Sequence, residues 1–174
     1  MDTVREYFPN VTDAELTDHI SFLNSIAVEE QSGITVYPGV HDLLASLPPY
    51  RWTVVTSAAE TLMRSRLAAV GLVVPRHTVG GDTVRRGKPD PEGYLRGAAL
   101  LSLQPHECLV IEDAPAGILA GKSAGCQVLA VASSHSIEDL RQADWIVASL
   151  DQIQLSIGDA ATLNLRFPAI TSMH

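Results

Sequence analysis

The chain has 174 residues, 46% hydrophobic and 5% aromatic, enough for one core of ordinary size and a small appendage. A formal net charge of -8 and a pI near 5.1 exclude a nucleic-acid binder that works by displacing phosphate counterions, because Lys and Arg are in deficit. The start MDTVREYFPN lacks a signal peptide's basic-then-apolar layout, no apolar run nears the roughly 18 residues of a membrane span, and Cys108 and Cys126 lie outside any CxxC or metal spacing; a reduced, cytoplasmic setting is expected.

The first predicted helix opens at Thr12, with Glu15 three residues on as in a capping box, and carries Leu16, Ile20, Leu23 and Ala27 at helical spacing. A second runs from about Val40 with Leu43, Leu44 and Leu47 on one face, entered by Pro38-Gly39 and closed by Pro48-Pro49. From Trp52 the pattern changes. Short apolar runs (WTVV, HTV, CLVI, QVLAV, WIV) alternate with helical stretches, the signature of βα units on a parallel sheet, so the fold class is α/β. Helices are expected from Ala58 to a Gly71 stop, from Asp90-Pro91, and from Pro115 to a Gly125 stop. After Leu150, IQLSI and ATLNLRF flank Gly158-Asp159 as a hairpin would.

Parallel α/β sheets gather ligands at the carboxyl ends of their strands, and three signatures fall there. VVTSA delivers Thr56 and Ser57 at a strand-to-helix turn, where hydroxyls and free N–H groups suit a phosphate oxygen; a plain helix cap explains the same residues. RRGKPDPEGY places Lys88 between a glycine and two prolines that fix the backbone, so its ammonium can be aimed at a phosphoryl group; the alternative is an exposed loop lysine. VIEDAPAG ends a strand in Glu112 and Asp113, which suit a hard divalent ion such as Mg2+; here the alternative is N-capping by Asp113. The six histidines fall in no ligand spacing, and Trp52 and Trp145 read as packing residues.

Together these three segments resemble the haloacid dehalogenase (HAD) superfamily, and within it the phosphatases similar to glycerol-3-phosphatase and 2-deoxyglucose-6-phosphatase. The resemblance runs from about Val4 to Leu150 and rests on VVTSA, GKPDPEGY and VIEDAPAG as its second, third and fourth motifs. It implies a Rossmann-like parallel sheet with helices on both faces. It also implies that Thr56 and Lys88 serve catalysis, that Thr56, Ser57 and Lys88 bind phosphate, and that Glu112 and Asp113 hold Mg2+. Residues 1–35 resemble part of a helical cap, residues 36–150 the α/β core, and residues 151–174 form a tail.

The family's first motif, DxDGT, carries an aspartate that attacks phosphorus; this chain contains no Asp-x-Asp sequence at all. The expectation is therefore a core lacking its first, central strand, N-terminally shortened and inactive as it stands, from a Mg2+-dependent phosphatase of a small sugar or polyol phosphate that works through an aspartyl-phosphate. A non-catalytic phosphate-binding or regulatory protein is the alternative from another class, and a phosphomutase or dehalogenase of the same fold is a third. The Glu112-Asp113 pair counts against a dehalogenase, which needs no Mg2+. The expected partner is a small phosphorylated metabolite, without nucleic acid or membrane.

Overall fold

A computed structural model of the chain describes residues 10, 12–29, 31–159 and 162–170. Its first helix, α1 (Asp13–Glu29), starts where the sequence places it. The Thr12 hydroxyl donates to the Glu15 carboxylate at 2.7 Å, and that carboxylate also accepts the Thr12 backbone N–H at 3.0 Å, so the capping box forms. Leu16, 1% exposed, anchors this helix, while Phe22, Leu23 and Ile26 stay exposed. The next two helices are α2 (Val40–Ser46), entered at Gly39 with φ 83, and α3 (Glu60–Ala69).

Three parallel strands form the sheet, β1 (Leu109–Glu112), β2 (Gln127–Val131) and β3 (Trp145–Val147), in the order β1-β2-β3. Helices α4 (Glu92–Leu100) and α5 (Pro115–Ser123) precede and follow β1. In β2, Val128, Leu129 and Ala130 are all fully buried, the continuous apolar run of a strand covered on both faces. The two faces of the sheet pack separate cores: Val110, Val128 and Ala130 join Tyr94, Ile118 and Leu140, whereas Leu129, Val131 and Val147 gather Leu109, Leu150 and Phe167. Burying such an aliphatic side chain contributes about 2 kcal/mol. Helix α5 lies close to the sheet because Gly121 permits it; a Cβ there would meet Val128 at 2.9 Å. The tail adds the antiparallel pair β4 (Gln154–Ile157) and β5 (Leu163–Arg166), and Phe167 meets Trp145 edge to face at 6.0 Å. Among the described residues no helix is long and apolar enough to cross a membrane.

The run Trp52–Val55 does not form the full strand that its β-branched residues predict. A single parallel bridge, Val55 to Val79, is its only ladder pairing among the described residues. The reason lies on its other side. Between Trp52–Val55 and the open edge of β1 runs a trough of about 960 Å3, lined also by Leu44, Tyr94, Gly97 and Leu163. A short run with one bridge on one side and a trough on the other cannot build a ladder.

Candidate active site at the mouth of the trough

Lys88 is aimed by the loop that carries it. The backbone N–H groups of Arg85 and Arg86 donate to the Glu92 carboxylate at 3.0 and 3.1 Å, and Arg86 pairs with Asp90 at 3.0 Å. Asp90 in turn accepts the Glu92 N–H at 3.0 Å. Held at both ends, the loop turns the lysine inward to 17% side-chain exposure, so the exposed-loop alternative fails. Its ammonium donates to the Val55 carbonyl at 3.3 Å, pairs with Glu112, and sits 5.0 Å from the centre of the Tyr94 ring. One cation thus ties the end of the Trp52–Val55 run to the end of β1.

Glu112 is the most enclosed charged group here, with 9% side-chain exposure. Its Oε1 takes both the Lys88 ammonium and the Tyr94 hydroxyl, and its Oε2 accepts the Asp113 N–H at 3.2 Å. The carboxylate rests on Gly117 in the first turn of α5, where a Cβ would overlap it. Burial, and after it the negative charge of Glu112, push the Tyr94 phenol well above its ordinary range, so Tyr94 remains a hydrogen-bond donor. Asp113 differs from its neighbour. Its Oδ2 accepts the Ser134 hydroxyl at 2.8 Å, and its backbone carbonyl lies 3.0 Å from His135 Nδ1. The two adjacent carboxylates are therefore not equivalent: Glu112 is the counter-ion of Lys88, and Asp113 faces the loop after β2.

Thr56 follows Val55 directly and so stands at the same mouth, but its hydroxyl accepts the Ala58 N–H at 3.1 Å. The helix begins at Glu60, two residues later than the Ala58 start that a cap at Thr56-Ser57 predicts. Its first N–H is taken from a distance, by Asp82 Oδ1 at 2.9 Å. Ser57 is exposed. Thr56, Lys88, Glu112 and Asp113 are thus gathered by the ends of two strand segments, with Ser57 at the rim. Tyr94, Gly117, Ser134 and Asp82 are the contributors that the sequence reading passed over. Only Tyr94 carried a signal, as the last residue of the KPDPEGY stretch.

The local charge bears on a cation. Lys88 is matched by Glu112, and Asp113 adds a second negative charge, so a phosphate arriving here needs a further positive charge. Among the described residues no group of three or more His, Cys, Asp or Glu gathers. Mg2+ typically takes only one or two protein carboxylates and completes its shell with water and phosphate oxygens, so the pair fits it.

The haloacid dehalogenase-like hydrolase family model matches residues 5–125. Hexitol phosphatase A of Escherichia coli (strain K12) is 38% identical over 156 residues, covering 88% of this chain and 72% of its own length. Glycerol-1-phosphate phosphohydrolase 2 of Saccharomyces cerevisiae is 30% identical over 178 residues, covering 95% and 70%. Among solved structures, β-phosphoglucomutase from Clostridium difficile superimposes with a TM-score of 0.72 over 88% of this chain and 70% of its own, and at 23% identity that likeness speaks for the fold alone. The fold is accordingly the α/β one the sequence predicts, and the chain belongs to the haloacid dehalogenase-like hydrolase family.

Proposed function

We propose that this chain carries the phosphoryl-binding part of a Mg2+-dependent phosphatase acting on a small sugar or polyol phosphate. The observation that carries the reading is the placement of Lys88, a half-buried cation held between Val55, Glu112 and Tyr94, tying the end of Trp52–Val55 to the end of β1. In such a partly enclosed site an ammonium offsets phosphate oxygen charge better than in bulk water. Hexitol and glycerol phosphates, the substrates named in the two relatives, set the substrate class.

On this reading Lys88 faces the transferring phosphoryl group, and Thr56 with the neighbouring backbone orients its oxygens. Asp113, fixed by Ser134, and Glu112 would hold Mg2+, which supplies charge neutralisation at the phosphate. The nucleophile is a carboxylate: one of its oxygens forms a bond to phosphorus while the ester P–O bond breaks, and the departing alkoxide takes up a proton. Water then cleaves the acyl-phosphate, giving inorganic phosphate and the free carboxylate. These 174 residues hold no Asp-x-Asp sequence, so the chain alone binds phosphate esters without turning them over.

Titration calorimetry tests this. With Mg2+ present, glycerol-1-phosphate binds saturably at one site per chain and glycerol does not, and Thr56→Val weakens binding severalfold. Equal heats for the two ligands, or none, would overturn the reading. A purely regulatory phosphate-binding protein gives the same titration but never releases phosphate once a carboxylate is supplied.

A further inference from the structure

We infer that His135 sets the substrate preference of this mouth: its ring nitrogen Nε2 accepts a hydrogen bond from a hydroxyl on the carbon chain of a polyol phosphate. The inference rests on the phosphatase reading for the phosphate, and on the loop after β2 for the hydroxyl. That loop is pinned on both sides of His135. The Ala132 N–H donates to the Val147 carbonyl at 2.9 Å, and the N–H of Leu140, a fully buried residue, donates to the Ser136 carbonyl at 3.3 Å. Between them Ser136 and Asp139 close a turn, with the Ser136 hydroxyl donating to the Asp139 carboxylate at 2.6 Å and the Asp139 N–H returning to that hydroxyl at 3.3 Å.

The same loop fixes which nitrogen of His135 is bare. Nδ1 lies 3.0 Å from the Asp113 backbone carbonyl and 2.9 Å from the Ser134 hydroxyl oxygen. A carbonyl only accepts. The one hydroxyl hydrogen of Ser134 goes to Asp113 Oδ2 at 2.8 Å, so toward His135 this oxygen is an acceptor as well. Both contacts require the proton on Nδ1, and a neutral imidazole then carries a lone pair at Nε2. The acidic groups of the loop are engaged elsewhere, Asp139 by Ser136 and Glu138 by Arg141. Among the described residues Nε2 has no hydrogen-bond partner, and the ring is exposed. A bare acceptor beside Asp113 calls for a donor from the ligand. An ionised phosphate oxygen has no hydrogen to give, so the donor is an alcohol hydroxyl of the organic part.

The test is titration calorimetry with Mg2+ at pH 8, above the ordinary imidazole pKa of about 6.5. It compares glycerol-1-phosphate with propyl phosphate, which has the same carbon chain without free hydroxyls. The parent should bind glycerol-1-phosphate about three- to tenfold more tightly, the range of one net hydrogen bond. His135→Asn should bring that ratio to about one, because an asparagine amide reaches the Nδ1 position and keeps a donor for Asp113 but places no atom at Nε2. A ratio that persists in His135→Asn would show that His135 acts only by holding Asp113, and overturns the inference. Equal affinity of the parent for the two esters does the same, and both outcomes leave the phosphoryl-binding reading standing. Binding of neither ester removes that reading and this inference with it. Nitrogen-15 spectra of the histidine rings give a second readout. The pair of ring signals missing from His135→Asn should show an unprotonated Nε2 that shifts with glycerol-1-phosphate and not with propyl phosphate, and an unprotonated Nδ1 there would overturn the assignment.

Discussion

The Tyr94 hydroxyl and the Lys88 ammonium converge on one oxygen of Glu112, while the Tyr94 ring lies beneath that ammonium at 5.0 Å. Tyr94 therefore touches both members of the ion pair, with its edge group and with its face. Removing the hydroxyl alone takes a neutral donor from a charged acceptor, a bond that contributes about 2 kcal/mol. Tyr94→Phe should lower the urea-unfolding free energy by that amount without changing the slope of the transition. An unchanged midpoint would mean that solvent replaces the phenol.

Breaking the ion pair should cost more. Lys88→Met leaves Glu112 enclosed without its counter-ion, and removing one partner of a buried pair typically costs about 3–5 kcal/mol. Lys88→Met combined with Glu112→Gln removes both charges, and should lie closer to the parent than the sum of the two single changes by about 1 kcal/mol or more. Strict additivity would show that the two side chains are not coupled.

Gly117 is required by contact with Glu112, and Gly87 supplies the control. A Cβ at Gly117 would overlap the Glu112 carboxyl group, whereas one at Gly87 meets nothing within 4 Å. Gly117→Ala should destabilise by about 1–3 kcal/mol, as other overpacked sites do, and Gly87→Ala should leave the thermal midpoint within error. Similar shifts for both variants would remove the contact as the cause.

How far the sequence reveals this site depends on the range of each interaction. The Thr12–Glu15 box is built from partners three residues apart, and spacing alone predicts it; the aiming of Lys88 is predicted from the flanking prolines, whereas the loop is held by Glu92 and Asp90. The helix start predicted at Ala58 falls two residues early because the donor and acceptor that start α3 are Glu60 and Asp82, 22 residues apart, and no local pattern links them. Tyr94 closes the KPDPEGY stretch, yet its role is not legible there, since only the fold brings it to Glu112, 18 positions on. The β-branched run Trp52–Val55 predicts a strand, yet a strand also needs ladders, and its second ladder faces the trough.

Acid should loosen the junction of α5 and β2. Burial acts to raise the Asp144 carboxyl, but the Lys122 ammonium at 2.5 Å and the Val128 N–H at 2.8 Å outweigh it and hold the group below 3.8. A carboxyl that is more acidic in the folded state adds stability in full above its unfolded value, and loses it as pH falls through the lower folded value. Unfolding free energies of the parent and Asp144→Asn should therefore differ by a constant amount from pH 7 to 5, and the gap should begin to narrow as pH falls below about 3.8. A gap at pH 3 as large as at pH 5, or larger, would contradict this.

The most direct measurement exploits the fact that the chain has only two lysines, Lys88 and Lys122. Labelled with nitrogen-15 at Nζ, they give two ammonium signals, and Lys122, held by Asp144 at 2.5 Å, serves as the internal reference. With Mg2+ present, titrating glycerol-1-phosphate should move the Lys88 signal saturably and leave Lys122 in place. A Lys88 signal that stays still at saturating ligand, or moves only in step with Lys122, would contradict the assignment of this mouth to phosphoryl binding.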